Sequence, residues 1–161
     1  MKRNKPSLAF FLLFVFSNTV NGIDESTCIE SSVAAISGLL PGMSEASLNK
    51  DNRYISVEAA TGEDDGGYYE AQIFHYSKYD ITVVRGMIDS IRITSPELLW
   101  ARNIRIGTDR NIVEKHIHHA PVVSDKTSSQ YLVCSGIGDV YAVLGYHNNK
   151  IKSIEIAMDR P

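Results

Sequence analysis

The chain has 161 residues, with 16 Lys+Arg against 19 Asp+Glu, 43% hydrophobic and 22% charged residues, and two cysteines. That length fits one compact domain or two small modules sharing a core, and the near-average composition excludes a disordered or a fibrous chain. A net charge of −3 with no clustered basic stretch gives no footprint for a phosphate backbone, so a nucleic-acid partner is not expected.

The first element is a targeting signal. Lys2, Arg3 and Lys5 open it, nine apolar residues follow from Leu8 to Phe16, and Ser17-Asn18-Thr19 ends the run. This order matches a secretory signal peptide, and the run is too short for a membrane-spanning helix, which needs about 20 apolar residues. Cleavage after Val20-Asn21-Gly22 would start the chain at Ile23, with 13 basic residues left against 19 acids and a net charge of −6. No membrane anchor is expected after cleavage. The exported compartment is oxidising, so Cys28 and Cys134 are expected to pair, joining the first helix to a late strand.

Beyond the signal, Ile29, Val33, Ile36 and Leu40 recur at helical spacing and predict an amphipathic helix over 27–40. A second short helix is expected over 44–50. Strands are expected from Tyr68 to Tyr76, Asp80 to Val84 and Met87 to Thr94, the last two joined by a turn at Arg85-Gly86. Residues 96–102, with Trp100, read as a linker. A helix is expected from Asp109 to about His118, then strands near 130–135, 139–146 and 151–158 with a turn at Asn148-Asn149. Strict alternation puts Asp89 with Ile91 and Ile93 on one face, and Lys152 with Ile154, Ile156 and Met158 on another.

Two stretches of this pattern repeat. Leu40-Pro-Gly42-Met-Ser44 resembles Arg105-Ile-Gly107-Thr108, with Ser44 and Thr108 as expected helix caps. Gly86-Met-Ile88-Asp-Ser90-Ile91-Arg-Ile93 resembles Asn149-Lys-Ile151-Lys-Ser153-Ile154-Glu-Ile156. The expected fold is therefore α+β: two tandem helix-plus-antiparallel-meander modules, 23–95 and 103–161, forming one curved sheet with helices on one face.

The unit of Gly-x-Ser/Thr, short helix, loop and three-stranded meander resembles the repeat of the β-lactamase inhibitory proteins, and also the related small outer-membrane assembly lipoproteins. Two tandem copies behind a signal favour the inhibitors. Asp65-Gly66-Gly67-Tyr68-Tyr69-Glu70-Ala71 is similar to the Asp/Tyr-bearing hairpin that those inhibitors insert into an active site. The resemblance implies a protein-binding role with an enzyme of the cell envelope as partner. The chain departs from both families in its cysteines, having only Cys28 and Cys134.

Chemistry-bearing motifs are sparse. The acidic stretch Thr61-Gly62-Glu63-Asp64-Asp65-Gly66-Gly67 lacks the twelve-position spacing and terminal Glu of a calcium loop, and reads as a hairpin tip, either solvated or partner-binding. Tyr68 and Tyr69 follow it, pointing to opposite faces if extended. His116 and His119 share a helical face while His118 does not, and no second ligand group completes a zinc site. Ser135 lies in no Gly-x-Ser-x-Gly elbow, and neither Gly-x-Gly-x-x-Gly nor a phosphate loop occurs. A non-enzymatic chain without metal or cofactor is expected, whose partner-binding residues are Asp64, Asp65, Tyr68 and Tyr69. The competing expectation is a periplasmic envelope-assembly or small-ligand-binding factor.

Overall fold

The structure, a computed structural model, describes residues 28–48, 53–64 and 67–159; the expected signal segment and Asp65 lie outside them. Nine strands form one sheet in the order β1-β7-β8-β9-β5-β4-β3-β2, with β6 also pairing β7. They are β1 (Ile29–Glu30), β2 (Ser56–Asp64), β3 (Gly67–His75), β4 (Tyr79–Val84), β5 (Met87–Ile93), β6 (Val123–Ser124), β7 (Ser128–Cys134), β8 (Val140–His147) and β9 (Lys150–Met158). Only β1 runs parallel to its neighbour.

This corrects the expected α+β class and its tandem modules. The structure is 51% strand and 11% helix, and its two helices, α1 (Ser31–Ala34) and α2 (Arg110–His116), are too short to form a layer. The meanders β3–β4–β5 and β7–β8–β9 are not separate bodies. They join through β5 and β9, where Ile91 faces Ile156 and Arg92 faces Glu155, and one apolar core spans both halves. Sharing strand hydrogen bonds and a core removes any boundary along which two modules could be parted.

The local repeat nevertheless recurs bond for bond. Gly42 N–H donates to Ile88 O, Ile88 N–H to Met43 O, and Glu45 N–H to Gly86 O, at 2.7–2.8 Å. Gly107 to Ile151, Ile151 to Thr108, and Arg110 to Asn149 repeat that set at 2.8–2.9 Å. Both meanders also carry a bulge at the matching place. The register passes from Thr82↔Ser90 to Val83↔Ile88, skipping Asp89, and from Gly145↔Ser153 to Tyr146↔Ile151, skipping Lys152. The extra residue turns the strand by one position, so Ile88 and Ile91 are both buried, as are Ile151 and Ile154. The alternation expected for Asp89 and Lys152 fails for this reason.

The helix expected over 27–40 shrinks to one turn. Ile29–Glu30 is drawn into pairing with β7, and Ser37 and Gly38 take φ of 54° and 78° in a tight turn where Ile36 and Leu39 exchange backbone hydrogen bonds. Left-handed backbone ends a helix. Ile29, Ile36 and Leu40 are buried as their spacing implied; only the conformation differs. Of the helix expected over 44–50, residues 49 and 50 lie outside the described residues and the rest is a 3-10 turn over Glu45–Ser47, capped by Ser44, whose Oγ accepts from Ala46 N–H. Thr108 is not a cap: its Oγ1 accepts from Arg105 N–H, and Asp109 occupies the N-cap position of α2. Loops supply most of the cover over the inner face of the sheet, with Leu39, Leu40, Trp100, Ala101 and Ile104, and the two short helices add only Ala34 and Val113 to the core.

The expected bridge is present. Cys28 and Cys134 form a disulfide with Cα atoms 5.4 Å apart and a sequence separation of 106. It ties the segment entering β1, rather than a helix, to the end of β7. Among the described residues no helix is long and apolar enough to cross a membrane.

Candidate functional site

The expected 61–69 loop is a two-stranded ribbon. β2 and β3 stay in register from Ser56↔His75 to Asp64↔Gly67, pairing Gly62 with Tyr69 and Glu63 with Tyr68, so only Asp65 and Gly66 separate them. The signal for β2 was weak because Ala59, Ala60 and Gly62 have low strand preference; pairing with β3 supplies what composition lacks.

Register assigns faces. Val57, Ala59, Thr61 and Glu63 share the inner face with Tyr68, Glu70, Gln72 and Phe74, the face that carries Ile81 and Val83 of β4. At Phe74, Ile81 and Val83 that face is buried; towards β2 and the hairpin end its cover stops. Tyr68 is left 84% exposed. Tyr69 lies on the opposite face, packed over Gly62 so closely that a Cβ there would collide with its ring. The two tyrosines thus have different work: one braces the ribbon, the other stands free of the core.

Where the cover stops, a groove of about 920 Å³ opens, lined by Ala59, Thr61, Tyr68, Glu70, Gln72, Val83, Arg85 and Glu45 among others. Its floor exists because Ala59 and Thr61 are small. The sequence reading did not name Glu45, Glu70, Gln72 and Arg85 as site residues; the pairing of β2 to β3 to β4 brings Glu70, Gln72 and Arg85 together, and the bond from Glu45 N–H to Gly86 O adds Glu45. Asp64 closes β2 opposite Gly67, and Asp65 lies outside the described residues.

On the outer face, at the base of the ribbon, His75 joins three strands. Its Nδ1 lies 2.8 Å from Asp80 Oδ1 and its Nε2 3.4 Å from Glu58 Oε2. The hydrogen bond to Asp80, with the two negative charges, raises the His75 pKa above its ordinary 6.5. A raised folded pKa stabilises the fold below the unfolded value, and the contribution is lost as pH rises through the folded pKa. The native protein should therefore lose thermal stability between about pH 6 and 8 more steeply than His75→Gln. Parallel Tm profiles for the two proteins would show that His75 is uncoupled from folding.

The other sequence candidates fall apart. His116 donates from Nδ1 to Ile112 O at 2.8 Å, α2 ends there instead of continuing to His118, and no group of three or more metal-ligating side chains occurs among the described residues. Ser135 Oγ donates to Gly138 O at 2.7 Å, closing a turn. Arg110 is held by Glu114, Asp125 O and Ser124 at 2.6–3.2 Å and lies 4.7 Å over the Tyr146 ring, which binds the loop after β6 to the sheet.

Comparisons with protein-family models, with curated proteins and with solved structures found no match to this chain.

Proposed function

We propose that this chain is an exported protein that acts by binding another protein, and that the hairpin end of its sheet is the binding surface. The observation that carries this reading is Tyr68: a large aromatic side chain, 84% exposed, at the end of a braced ribbon beside an open groove. A tyrosine buries much area at low entropy cost, which makes exposed, rigidly mounted tyrosines frequent binding hot spots. The disulfide suits an oxidising periplasmic or secreted setting. In its sharpest form the protein is an inhibitor or immunity protein that occludes an envelope-active enzyme, the ribbon filling a cleft while the sheet supplies area. A stable complex of that kind buries about 1,200–2,000 Å² in total.

The test is capture of a partner from the host's envelope and secreted fractions by the oxidised 23–161 chain, followed by titration. Tyr68→Ala should weaken that partner's affinity by about 30-fold, the loss of about 2 kcal/mol typical of a hot spot. Equal affinity of Tyr68→Ala and the native protein would remove the hairpin from the interface. The groove supports one other reading, a periplasmic envelope-assembly or small-ligand-binding factor, since its volume falls in the usual range for ligand sites. A small molecule that raised the Tm of the isolated protein, and no longer did so in Gln72→Ala, would favour that reading.

A further inference from the structure

The two edges of the sheet are finished differently. Beyond β7 the backbone is occupied twice, by β1 against Val133–Cys134 and by β6 against Ser129–Gln130. Each of those strands is two residues long. Beyond β2 no strand pairs among the described residues. Yet β2 is nine residues long, its register with β3 has no bulge, and Ile55 prolongs it by donating its N–H to His75 O at 2.7 Å. Between Ile55 and Asp64 there is neither proline nor lysine. Edge strands are ordinarily blunted by just those devices, because a row of open N–H and C=O groups pairs with any extended chain. The same molecule blunts its other edge and leaves this one long and regular.

The side chains along the edge define what fits it. Its centre is Ala59-Ala60-Thr61-Gly62, small enough for long side chains of an added strand to lie across β2 on the groove face. There they meet carboxylates. Glu63 lies on that face by register, as does Glu70 one strand further in, and Glu45 forms part of the groove wall, against the single guanidinium of Arg85. At the other end of the edge, Ile55 is 73% exposed and Val57 is exposed on the same face. An occupant therefore needs an extended backbone and basic side chains on the groove face near Thr61–Glu63. A second copy of this chain fits poorly, because it would bring Glu58 and Glu63 of both copies to one seam.

We propose that β2 is a strand-addition edge that takes a Lys- or Arg-bearing extended segment of a partner protein as a tenth strand. Main-chain hydrogen bonds then give affinity, and alternate side chains reaching the groove give specificity. This rests on the reading that the hairpin end binds protein, and it states how.

The test uses the oxidised protein and a defined probe, acetyl-Lys-Val-Lys-Val-Lys-Val-Lys-Val-amide, followed by amide hydrogen exchange. At ten times its Kd, the peptide should slow exchange about tenfold at alternate residues of Ser56–Asp64 and leave β6 and β7 unchanged. The peptide with glutamate in place of lysine should not protect β2 of the native protein, and should protect it in Glu63→Lys/Glu70→Lys. Three results would overturn the proposal: no protection of β2 at about 1 mM peptide, a concentration that detects binding of about 4 kcal/mol; equal protection by a Lys-Pro repeat, which carries the charge but cannot pair as a strand; or sedimentation of the free protein as a dimer whose β2 amides are already protected. Loss of partner affinity in Tyr68→Ala together with no peptide protection would sink the edge alone. Peptide protection with an unaffected Tyr68→Ala would sink the hairpin-tip reading instead.

Discussion

Replacing Cys28 and Cys134 by serine lowers the free energy of unfolding by about 4–5 kcal/mol, the chain-entropy value for a loop of this size. The bridge spans a sequence separation of 106, most of the described chain, so the unfolded ensemble loses a large set of conformations when it is closed. At a urea m-value of about 1.5–2 kcal/mol/M the midpoint falls by about 2–3 M. The native state has a local stake as well. β1 holds only two register pairs with β7, so the covalent tie to Cys134 is a main anchor of Cys28–Glu30, whereas Ala34, Ile36, Leu39 and Leu40 are held by the core itself. Amides of Ile29 and Glu30 should then exchange faster than those of β8. Urea unfolding of the oxidised protein against the double serine variant checks the first point. Coincident midpoints would show that the bridge adds nothing the core does not already supply.

Trp100→Ala costs about 3–5 kcal/mol, the range for truncating a large buried aromatic side chain. Trp100 is 3% exposed, packs in the core shared by both meanders, and donates from its indole Nε1–H to Ala34 O at 2.9 Å. It also anchors a strained turn. Trp100 and Ile104 exchange backbone hydrogen bonds of 2.7 Å, while Ala101, Arg102 and Asn103 take φ of 25°, 57° and 74°. Left-handed backbone at a non-glycine residue costs on the order of 1–3 kcal/mol and persists only where its surroundings over-determine it; the buried indole is what does so here. Trp100→Phe keeps most of the apolar area and loses the hydrogen bond, leaving a buried carbonyl without its donor, so it should cost about 1–3 kcal/mol. The neighbouring Leu99, 55% exposed, is the control: Leu99→Ala should stay within about 0.5 kcal/mol. Denaturant titration of the three variants decides it, and a Leu99→Ala loss as large as that of Trp100→Ala would show that the whole linker, not the indole, carries the effect.

Much of the strand plan was legible in the residues. Arg85-Gly86 and Asn148-Asn149 sit at turns with positive φ, where glycine and asparagine are at home. The apolar runs on either side became β4, β5, β8 and β9. The 63-residue echo of Ile88-Asp-Ser-Ile91 in Ile151-Lys-Ser-Ile154 marked equivalent strands. Even the bulges left a trace: isoleucines three apart fit no strict alternation, and the skipped Asp89 and Lys152 account for it. Less of the candidate site could be read. Tyr68 and Tyr69 were named from their place after an acidic Gly-rich stretch, but Glu45, Glu70, Gln72 and Arg85 come from three separate segments and meet in the groove only through strand pairing and the Glu45–Gly86 backbone bond.

What the amino-acid sequence determined by itself was local: turn positions, apolar runs long enough for strands, a pair of cysteines and a repeated motif, because those depend on the φ/ψ preferences and hydropathy of near neighbours. Tertiary structure decided the rest. It converted a helical apolar spacing at Ile29–Leu40 into a short strand, one helical turn and a loop, since pairing with β7 and burial against the core outweighed the small per-residue helix propensity. It made β2 a strand from residues with little preference for one, because hydrogen bonds to β3 replaced those lost to water. It also fused two similar meanders through β5 and β9, a choice that no stretch of sequence records, since the free energy of joining two sheet edges depends on strands more than 60 residues apart meeting in register.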